Sequence, residues 1–586
     1  MLATTPSHSA RRARLVGSLA TPFALALAGC SGGGEVGADV APSADGGPAD
    51  VSSDGASAES SGDAASLDDA ASDAPDGGDG AWRSALYPEA WTPDFTGGAG
   101  QFLHDFSYAG YHRSEIALPS DWPGITADVT AYGAHAGGVD DSAPGFAAAI
   151  AAVAAAGGGV VYVPDGEYLL ASPIVVRASR VLLRGQSRAG TRLRFPSLVG
   201  GSASLRFVGA AEPTVGRVAL AADGVARSRE VRVADASAFH VGDDVLVDFV
   251  ITQAFVDEHA MGGLWDTGAN SAVGARKVFF RRTITAVDAT LALARITLDV
   301  PLRYPTKVRD DASIRVDTGA ISECGLEHLS VDDVVSTSDA LADPRAHAIS
   351  FERAQDCFAR DVGTYATASD ATHHLRSGGI YVGASKRVTV ASSAMEHAQN
   401  HGDGGAGYAF EASASSEVLF VDDRASDVRH GFIQNWDFGS SGLVFLRCDA
   451  EGDTAVNSGF SMSGTSEFHH RLAMASLYDG CHDSSGFNAF NRGADSSNAG
   501  HAATQNVFWN VSGSGAASRL RSYQAGDGYV IGTRDLTVRV VADLLDHALG
   551  YDLGTEPTDH LEGQDRGAGL EPASLFDDQL ARRLGR

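Results

Sequence analysis

Histidine and arginine side chains are concentrated in one part of the chain, between residues 347 and 501. Ten of the 19 histidines fall in this part, and several recur about once in thirty residues. The densest groups are Arg429-His430-Gly431 and His469-His470-Arg471. Histidine exchanges a proton near neutral pH, and arginine binds a carboxylate through two parallel hydrogen bonds. The pattern therefore predicts a site that removes a proton from a substrate bearing a carboxylate.

Such a site suits β-elimination of a polysaccharide that contains uronic acids. The uronate carboxylate must be neutralised, a base must remove the neighbouring proton, and an acid must assist the leaving oxygen. We predict as catalytic residues Arg429, His430, His469, His470, His374 and Tyr408, with Tyr478 as an alternative acid. We predict as substrate-binding residues Arg492, Arg471, His397, Gln434, Trp436 and His373. Each histidine taken singly also fits a turn or a stacked side chain.

Acidic side chains leave further functions open. An inverting glycoside hydrolase uses two carboxyl groups about 6.5–9.5 Å apart. Asp422-Asp423 upstream of His430-Gly431 is similar to part of the polygalacturonase pattern, although the same aspartates follow a strand directly and also fit a turn. We predict no metal ligand set, but Ca²⁺ stays open as a cofactor through Asp403, Asp427, Asp437 and Asp453. A non-catalytic carbohydrate-binding protein is the third possible function.

The sequence from residue 142 indicates the elements that position these side chains. Ser142 and Pro144 suit the start of a helix. Apolar residues follow at helical spacing, namely Phe146, Ile150 and Val153. Glycines then stop the helix, and short β-branched runs separated by turn residues begin. We therefore predict a short capping helix at the open end of a β-solenoid.

The same stretch resembles the opening segment of the pectate lyase superfamily, in its rhamnogalacturonase- and epimerase-like form. The matching residues are Tyr132-Gly133-Ala134, Gly138 to Ser142, Gly158 to Tyr168 and Leu183 to Gly185. Ser142 replaces the threonine that is usual there, and Ala136-Gly137 replaces an Asp-Gly pair. The resemblance implies an all-β fold, a right-handed parallel β-helix that acts on polysaccharides. It does not fix the reaction, because lyases, hydrolases, epimerases and tailspike-like proteins share this segment.

A repeat of about thirty residues supports the β-helix independently. Its apolar anchors are Leu326, Phe358, Val388, Val418, Leu443, Leu477 and Val507. Each coil would bury its face on the next and present the same position again, so we expect the histidines and arginines along one open groove. We predict the β-helix over 126–530 with a β-rich insertion at about 205–305. Residues 81–125 would pack on the first coils, and 531–586 would form an amphipathic C-terminal cap.

The first 80 residues predict export and a lipid anchor. Three arginines precede an apolar run, residues 15–28, that is too short to span a membrane. Leu27-Ala28-Gly29-Cys30 resembles the lipobox of bacterial lipoproteins, so we predict a signal peptide over 1–29 and lipidation of Cys30. Residues 30–80 predict a disordered acidic tether. The protein is expected at the cell envelope, on the outer membrane or the cell surface.

Charge and cysteine spacing set further limits. With 44 Lys and Arg against 74 Asp and Glu, the net charge is −30, and a nucleic-acid partner is excluded because its phosphates would stay unneutralised. We expect a monomer whose partner is an acidic polysaccharide. Cys324 and Cys357, like Cys448 and Cys481, lie 33 residues apart, about one coil. They predict either an interior ladder of thiols or disulfides.

Overall fold

The computed structural model describes residues 80–402, 405–457, 460–542 and 555–586. The predicted signal peptide, the lipidation site Cys30 and the tether through residue 79 lie outside these residues, as does part of the predicted C-terminal cap. Within the described residues, no helix has both the length and the apolar character needed to cross a membrane.

Parallel strands stack into three ladders that form the sides of a β-helix. The first ladder contains Ile125–Asp128, Gly159–Val163, Val181–Gly185, Gly325–Asp332, Ala354–Thr364, Lys386–Ala391, Leu419–Val421, Val444–Leu446, Leu477–Asp479, Val507–Ser512, Tyr529–Arg534 and His560–Glu562. The second ladder contains Gly137–Asp141, Gly166–Leu169, Thr191–Arg194, the ends of Gly325–Asp332 and Ala354–Thr364, Ala394–Glu396, Arg424–Ser426, Asp449–Glu451 and His482–Asp483. The third ladder contains Ile174–Val176, Ala203–Val208, His347–Glu352, Gly378–Gly383, Tyr408–Ser413, His430–Gln434, Ser466–Phe468, Gly486–Ala489, Arg519–Ser522 and Thr537–Arg539. The predicted parallel β-helix is thereby confirmed.

Shorter elements connect the ladders. The remaining strands outside the insertion are Ile321–Ser322, Ala473–Met474, Ala503–Thr504 and the hairpin Thr454–Asn457 with Phe460–Ser463. The α-helices of the described residues are α1 (Ala143–Ala155), α2 (Gln253–Glu258), α3 (Thr337–Ala342), α4 (Asp495–Asn498) and α5 (Leu575–Leu584). The 3₁₀ turns are Tyr111–Ser114, Val129–Tyr132, Val308–Asp310 and Gly567–Gly569.

Stacked apolar side chains fill the interior of the β-helix. The rings of Phe410 and Phe432 lie parallel at 5.0 Å on successive coils, which is the offset-stacked spacing that aromatic pairs prefer. Cys324 and Cys357 also stack, because the backbone N–H of Cys324 donates to the sulfur of Cys357 at 3.3 Å. All four cysteines of the described residues are buried and unbridged. Of the two predicted arrangements, the structure contains the interior ladder of thiols.

Helix α1 closes the first coils as predicted. Its apolar stripe, Phe146, Ile150 and Val153, is buried in the core of the β-helix. The hydroxyl of Ser142 does not cap the helix and instead accepts from the backbone N–H of His135 at 2.9 Å. The Asp141 carboxylate accepts from the N–H of Ala143 at 3.0 Å, so the acidic residue provides the cap.

The N-terminal segment covers the outer face of the first ladder. The N–H of Phe102 donates to the hydroxyl of Tyr529 at 3.3 Å, near the last coils. Further along, the indole N–H of Trp122 donates to the carbonyl of Arg180 at 3.2 Å, on an early coil. The segment thus spans both ends of the ladder, whereas the sequence predicted contact with the first coils only. Its large apolar side chains cover the apolar outer face of the first ladder. No local sequence pattern shows that this face is apolar.

Helix α5 lies beside that segment on the same face. Its first turn is held by Asp479, whose carboxylate accepts from the N–H of Phe576 at 2.7 Å and the hydroxyl of Ser574 at 2.8 Å. Gln579 accepts from the N–H of Phe106 at 2.8 Å. The predicted amphipathic C-terminal element therefore covers a side of the β-helix, because Leu575 and Phe576 pack in one buried cluster with first-ladder residues such as Leu477 and Val507.

An antiparallel sheet forms the insertion. Its strands, in spatial order, are Glu230–Val233, Ala294–Leu298, Arg276–Asp288, Asp244–Val250, Ser313–Val316 and Val218–Ala219. The chain enters the insertion after the third-ladder strand Ala203–Val208 and rejoins the β-helix before the first-ladder strand Gly325–Asp332. The insertion has its own apolar core. A buried ion pair ties it to the β-helix, since Arg303 donates to both oxygens of Glu417, at 3.0 and 2.6 Å.

Candidate active site

Polar side chains line the outward face of the third ladder. Phe410 and Phe432 point into the core, so the residue after each of them points outward by strand alternation. In the register of the ladder, the outward positions on four successive coils are Glu411, Ile433, Glu467 and Asn488. The turns that follow these strands add His469, His470 and Arg492. The third ladder therefore positions most of the predicted chemistry.

Glu467 is the centre of this cluster. Its Oε1 accepts from Nδ1 of His469 and lies 3.5 Å from Nε2 of His430. Its Oε2 accepts from Nη1 of Arg492 at 3.3 Å and from Nδ2 of Asn488 at 3.4 Å. Four side chains thus converge on one carboxylate. Three of them, His430, His469 and Arg492, were predicted for the site, and the structure brings them together.

His430 has one engaged and one unengaged ring nitrogen. Its Nδ1 lies 2.6 Å from the carbonyl oxygen of Thr465, which can only accept, so Nδ1 carries the proton. The Nε2 of His430 has no hydrogen-bond partner among the described residues. In the neutral ring that nitrogen holds a lone pair. The side chain is therefore arranged as a proton acceptor.

Burial and charge fix the protonation states of the cluster. Burial lowers the pKa of His430, and burial together with the Arg492 charge lowers the pKa of His469 to about 4. Burial alone would raise the pKa of Glu467, but its interactions with His469, Arg492 and His430, of which Arg492 stays charged at neutral pH, hold that pKa well below its usual range. At neutral pH the cluster thus combines an ionised carboxylate with neutral imidazoles.

A second branch of the network leads from His470. Its Nδ1 lies 2.8 Å from Oδ1 of Asn435, and its Nε2 lies 2.8 Å from the carbonyl of Ser496 in α4. Asn435 in turn donates to Glu411 at 3.0 Å, and Glu411 pairs with His347 at 2.9 Å. Burial lowers the pKa of His470 well below its ordinary value. His470 therefore links two turns and holds them in place.

Tyr408 and Arg429 flank His430. The ring of Tyr408 lies 5.1 Å from that of His430 on the preceding coil, and burial raises the pKa of Tyr408 to about 12. Arg429 donates through Nη1 to the carbonyl of Gly402 at 2.7 Å, while its Nε has no hydrogen-bond partner among the described residues. A protonated phenol thus lies next to the imidazole, and a guanidinium belongs to the preceding residue.

The cluster lies beneath the surface, which corrects the expectation of an open groove. The predicted residues Arg429, His430, His469, His470 and Arg492 are 3–7% exposed. Their hydrogen bonds to Gly402 and to Ser496 draw them under the neighbouring turns. The segments at 400–402 and 495–498 therefore contact the cluster through Arg429 and His470.

His373, His374 and His397 belong to a different group. His374 and His397 have ring centroids 4.6 Å apart at the end of the second ladder. His397 pairs with Asp427 at 3.1 Å, and His373 pairs with Asp370 at 2.9 Å. The structure thus places these three histidines among the turns after the second ladder, which corrects their assignment to the same site as His430.

Three other predicted residues serve the fold. Gln434 is fully buried, and its Oε1 accepts from the backbone N–H groups of His469 at 3.3 Å and His470 at 3.4 Å. Arg471 donates to the carbonyl of Asn270 in the insertion at 2.5 Å. Tyr478, the alternative acid, is buried and donates to the carbonyl of Phe432 at 2.7 Å. These hydrogen bonds tie the three side chains to the backbone of the fold, and their roles toward a substrate stay predictions.

Trp436 occupies a position suited to a sugar ring. Trp436 is 40% exposed, which is high for so large an apolar side chain. Its ring lies 5.0 Å from that of His470, at the edge of the cluster. The Arg345 guanidinium lies over the ring, 5.1 Å from its centroid, so a sugar would pack on the part of the aromatic surface that Arg345 leaves open.

Sequence reasoning missed Glu467, Glu411 and Asn435. A usable signal existed for the first of them, since Glu467-Phe468-His469 alternates polar, apolar and polar within a short strand and its end. Period two places Glu467 and His469 on one face. The other two residues are recognisable only from the coil register, which the sequence does not state.

Within the part of the chain that the structure describes, three groups of side chains have the composition of a metal site. They are His430 with Glu467 and His469, His112 with Glu323 and Asp356, and Asp449 with Glu451 and His482. The first has the two-histidine, one-carboxylate composition used by several transition metals. Arg492 already neutralises Glu467 there, so we assign no ion to it.

The aspartates considered for a glycoside hydrolase or for Ca²⁺ are largely engaged elsewhere. Asp422 pairs with Arg447 at 2.8 Å, and Asp423 accepts from the N–H of Ser393 at 2.8 Å, in the turn between the first and second ladders. Asp437 pairs with Lys277. Asp403, one of the four aspartates considered for Ca²⁺, lies outside the described residues. The Asp422-Asp423 pair is thus a turn feature, as its position after a strand indicated.

The ladders and the capping helix define the class of protein as a parallel β-helix. Residues 126–205 match the family described as rhamnogalacturonase A/epimerase, pectate lyase-like. The match confirms the resemblance to pectate lyase-like proteins over α1 and the first coils. No curated protein matches the chain.

Solved structures with a similar arrangement come from phages and bacteria. The tailspike protein gp49 of Pseudomonas phage LKA1 is 13% identical, with a TM-score of 0.39, over 70% of this chain and 76% of that one. ORF18 of Geobacillus virus E2 is 11% identical, with a TM-score of 0.35, over 70% of this chain and 58% of that one. The A-module of the Azotobacter vinelandii mannuronan C-5 epimerase AlgE6 is 12% identical, with a TM-score of 0.34, over 75% of this chain and 98% of that one. The fold assignment rests on the strand ladders, not on these low scores.

Proposed function

We propose that the protein is a polysaccharide lyase that cleaves a uronic-acid-containing chain by β-elimination. One observation carries the proposal: a neutral His430 whose Nδ1 is held by Thr465 and whose Nε2 is left to accept a proton. The family match over residues 126–205 supports action on a polysaccharide. The specific reaction is our extension of that match.

The residues divide the reaction between them. Nε2 of His430 takes the proton from the carbon that bears the uronate carboxylate, and the electron pair of that C–H bond forms a double bond to the neighbouring ring carbon. The glycosidic C–O bond on that neighbour breaks, and the departing oxygen takes the proton of Tyr408. Arg429 neutralises the uronate carboxylate, which makes the carbon acidic enough to lose its proton. Glu467 favours proton uptake because its charge acts on His430.

Burial has a cost and a benefit in this scheme. The turns over the cluster must open to admit a sugar, since His430 is only 7% exposed. Once a sugar is bound, exclusion of water strengthens the attraction between Arg429 and the uronate carboxylate. The exposed ring of Trp436 offers the first contact for the incoming chain.

An inverting glycoside hydrolase is the second candidate, and one observation favours it. Glu411 and Glu467 point outward two coils apart, which at about 4.8 Å per coil places their backbones about 9.6 Å apart, near the upper end of the carboxyl spacing of about 6.5–9.5 Å in inverting enzymes. A general acid needs a raised pKa, however, and the charges around Glu467 hold its pKa far below the usual range. The lyase therefore ranks first.

Digestion of a panel of uronic-acid polysaccharides separates these functions. A lyase releases unsaturated uronates that are followed by ultraviolet absorbance, whereas a hydrolase releases reducing ends without that absorbance. Run in deuterated water, the same panel also reveals an epimerase, which incorporates deuterium without shortening the chain. Retention of the polymers with none of these signals supports a non-catalytic carbohydrate-binding protein and overturns the lyase.

The location of the protein forms part of the proposal. With a fatty acid on Cys30, the folded part acts at the cell envelope as a monomer on a polymer outside the cytoplasm. Incorporation of labelled fatty acid into the wild type but not into Cys30→Ala tests this anchor. Labelling of both proteins, or of neither, contradicts it.

A further inference from the structure

A cavity separates the insertion from the turns that follow the third ladder. Its volume is about 270 Å³. At about 30 Å³ per water, it has room for roughly nine waters, or for one acidic group with part of its sugar. Its charged lining residues are Glu212, Arg217, Arg276, Lys277, Arg281, Arg315 and Asp437. Five of these side chains are basic and two are acidic.

The carboxylates behind the lining do not cancel this excess. Asp248 accepts from Arg276 at 2.7 Å and pairs with Arg315, and Asp311 also pairs with Arg276. With these two included, five basic groups face four acidic groups. A residual positive charge thus remains next to an open volume, which attracts an anion.

Two buried guanidinium groups have N–H donors without partners. Arg281 is 5% exposed, and its Nη2 donates to Glu212 at 2.6 Å, while its Nη1 has no hydrogen-bond partner among the described residues. Nε of Arg315 also has no hydrogen-bond partner among the described residues. Buried donors left unpaired are unfavourable, and both guanidinium groups belong to the cavity wall, where their positive charges attract an anion.

Arg217 is the most available cation of the cavity. Its side chain is 35% exposed, and Nε lies 3.7 Å from Asp248, beyond hydrogen-bonding distance. Nη1 donates to the carbonyl of Thr214 at 2.8 Å, which fixes the side chain without neutralising it. The guanidinium is therefore positioned to pair with a ligand that enters from solvent.

One wall of the cavity adjoins the candidate active site along the chain. Asp437 and Phe438 line it, and they directly follow Trp436, whose ring lies against His470. Lys277 of the insertion pairs with Asp437 and so joins the two walls. A polymer that reaches His430 across Trp436 would bring a neighbouring sugar to the mouth of the cavity.

We propose that this cavity binds one anionic group, a carboxylate or a sulfate, of the polysaccharide that reaches His430. The identity of the polymer rests on the proposed function, whereas the preference for an anion rests on the cavity itself. The insertion thereby supplies a subsite that selects for charge at a distance from the cleaved bond.

Binding of defined oligosaccharides to the full protein tests the subsite. The probes are acidic oligouronates of several uronan types, their neutral methyl esters, and inorganic sulfate alone, compared by calorimetry at equal ionic strength. Arg217→Gln removes the least engaged cation, and Arg424→Gln removes an exposed arginine of the second ladder as a matched control. We expect Arg217→Gln to weaken binding of an acidic oligosaccharide about tenfold, the loss of one charge-assisted contact, with Arg424→Gln unchanged. Lys277→Gln serves as a second variant with the same expectation.

Each outcome decides the matter. Equal binding of an acidic oligosaccharide by the wild type and both cavity variants overturns the subsite, as does absence of binding by every probe. If sulfate binds, Arg217→Gln abolishes this and no acidic oligosaccharide binds, the cavity takes free anions and the polysaccharide assignment is overturned. If Arg217→Gln weakens binding of an oligouronate that the wild type does not cleave, the subsite stands and the lyase fails.

Discussion

Nε2 of His430 and Oε1 of Glu467 face each other at 3.5 Å, while Nδ1 of the same imidazole is engaged by the Thr465 carbonyl. Both facing atoms are acceptors when the ring is neutral and the carboxylate ionised. A proton that arrives on Nε2 is therefore met by a negative charge. This relationship makes His430 a better base than its burial alone would allow.

The pH dependence of the activity should follow His430. Burial lowers the pKa of His430, and the base acts only when neutral. We expect kcat/KM to rise with pH through a midpoint below about 6.5, the ordinary value for histidine, so that activity persists in mildly acidic solution. A pH series of initial rates measures this midpoint. A midpoint clearly above the ordinary value contradicts the assignment.

Glu467→Gln should shift that profile. The carboxylate charge raises the pKa of His430, so its removal moves the midpoint of kcat/KM to still lower pH and reduces kcat. The glutamine amide has nearly the same shape as the glutamate carboxylate, so the neighbouring side chains should largely keep their positions. A variant that loses activity without any shift of the profile would show that Glu467 acts only in folding, which circular dichroism and thermal unfolding of the same sample monitor.

Trp436→Ala should weaken substrate binding. Loss of one aromatic face is expected to raise KM about two- to tenfold, with kcat and thermal stability nearly unchanged because the ring is exposed. Tyr132→Ala is the matched control, since Tyr132 is 39% exposed on the capping region far along the chain. Equal KM values for the two variants would remove Trp436 from the binding surface.

Glu417→Ala should destabilise the protein strongly. Arg303 and Arg282 pair with this carboxylate at 2.6 and 3.2 Å, and all three side chains are buried. Leaving buried guanidinium groups without their carboxylate costs about 3–5 kcal/mol. Urea denaturation measures the change.

The control for that variant is Glu396→Ala, which breaks the more exposed pair with Arg424 at 3.6 Å. Exposed pairs contribute about 0–1 kcal/mol. Equal decreases in the free energy of unfolding of the two variants would show that the ion pair between the insertion and the β-helix stabilises the protein no more than an exposed pair does.

The fold was largely predictable because its determinants are local. The spacing of Phe146, Ile150 and Val153 indicated helix α1, and the repeat of apolar anchors indicated the coil length. The path of residues 81–122 along the first ladder was not predictable. Its contacts, such as Phe102 with Tyr529, join residues more than four hundred positions apart and leave no periodic pattern.

The site was predictable in part. Arg429 and His430 were found by residue type, and the ring of His430 does lie 5.8 Å from that of His469. Residue type says nothing about burial, however, and burial depends on turns such as the one that brings Ser496 over His470. The histidines at 373, 374 and 397 look the same in sequence as those at 430, 469 and 470, but they lie in turns after the second ladder and not along the third.

The most direct test of the account is the lyase assay on a uronan that the wild type degrades, repeated with His430→Ala and with His482→Ala. His482 lies on the second ladder beside Ser512, so it controls for loss of a histidine. The account predicts that His430→Ala lowers the rate of unsaturated uronate release by about 10²–10⁴-fold, while His482→Ala stays near the wild-type rate. If His430→Ala released unsaturated product as fast as the wild type, that result would contradict the account.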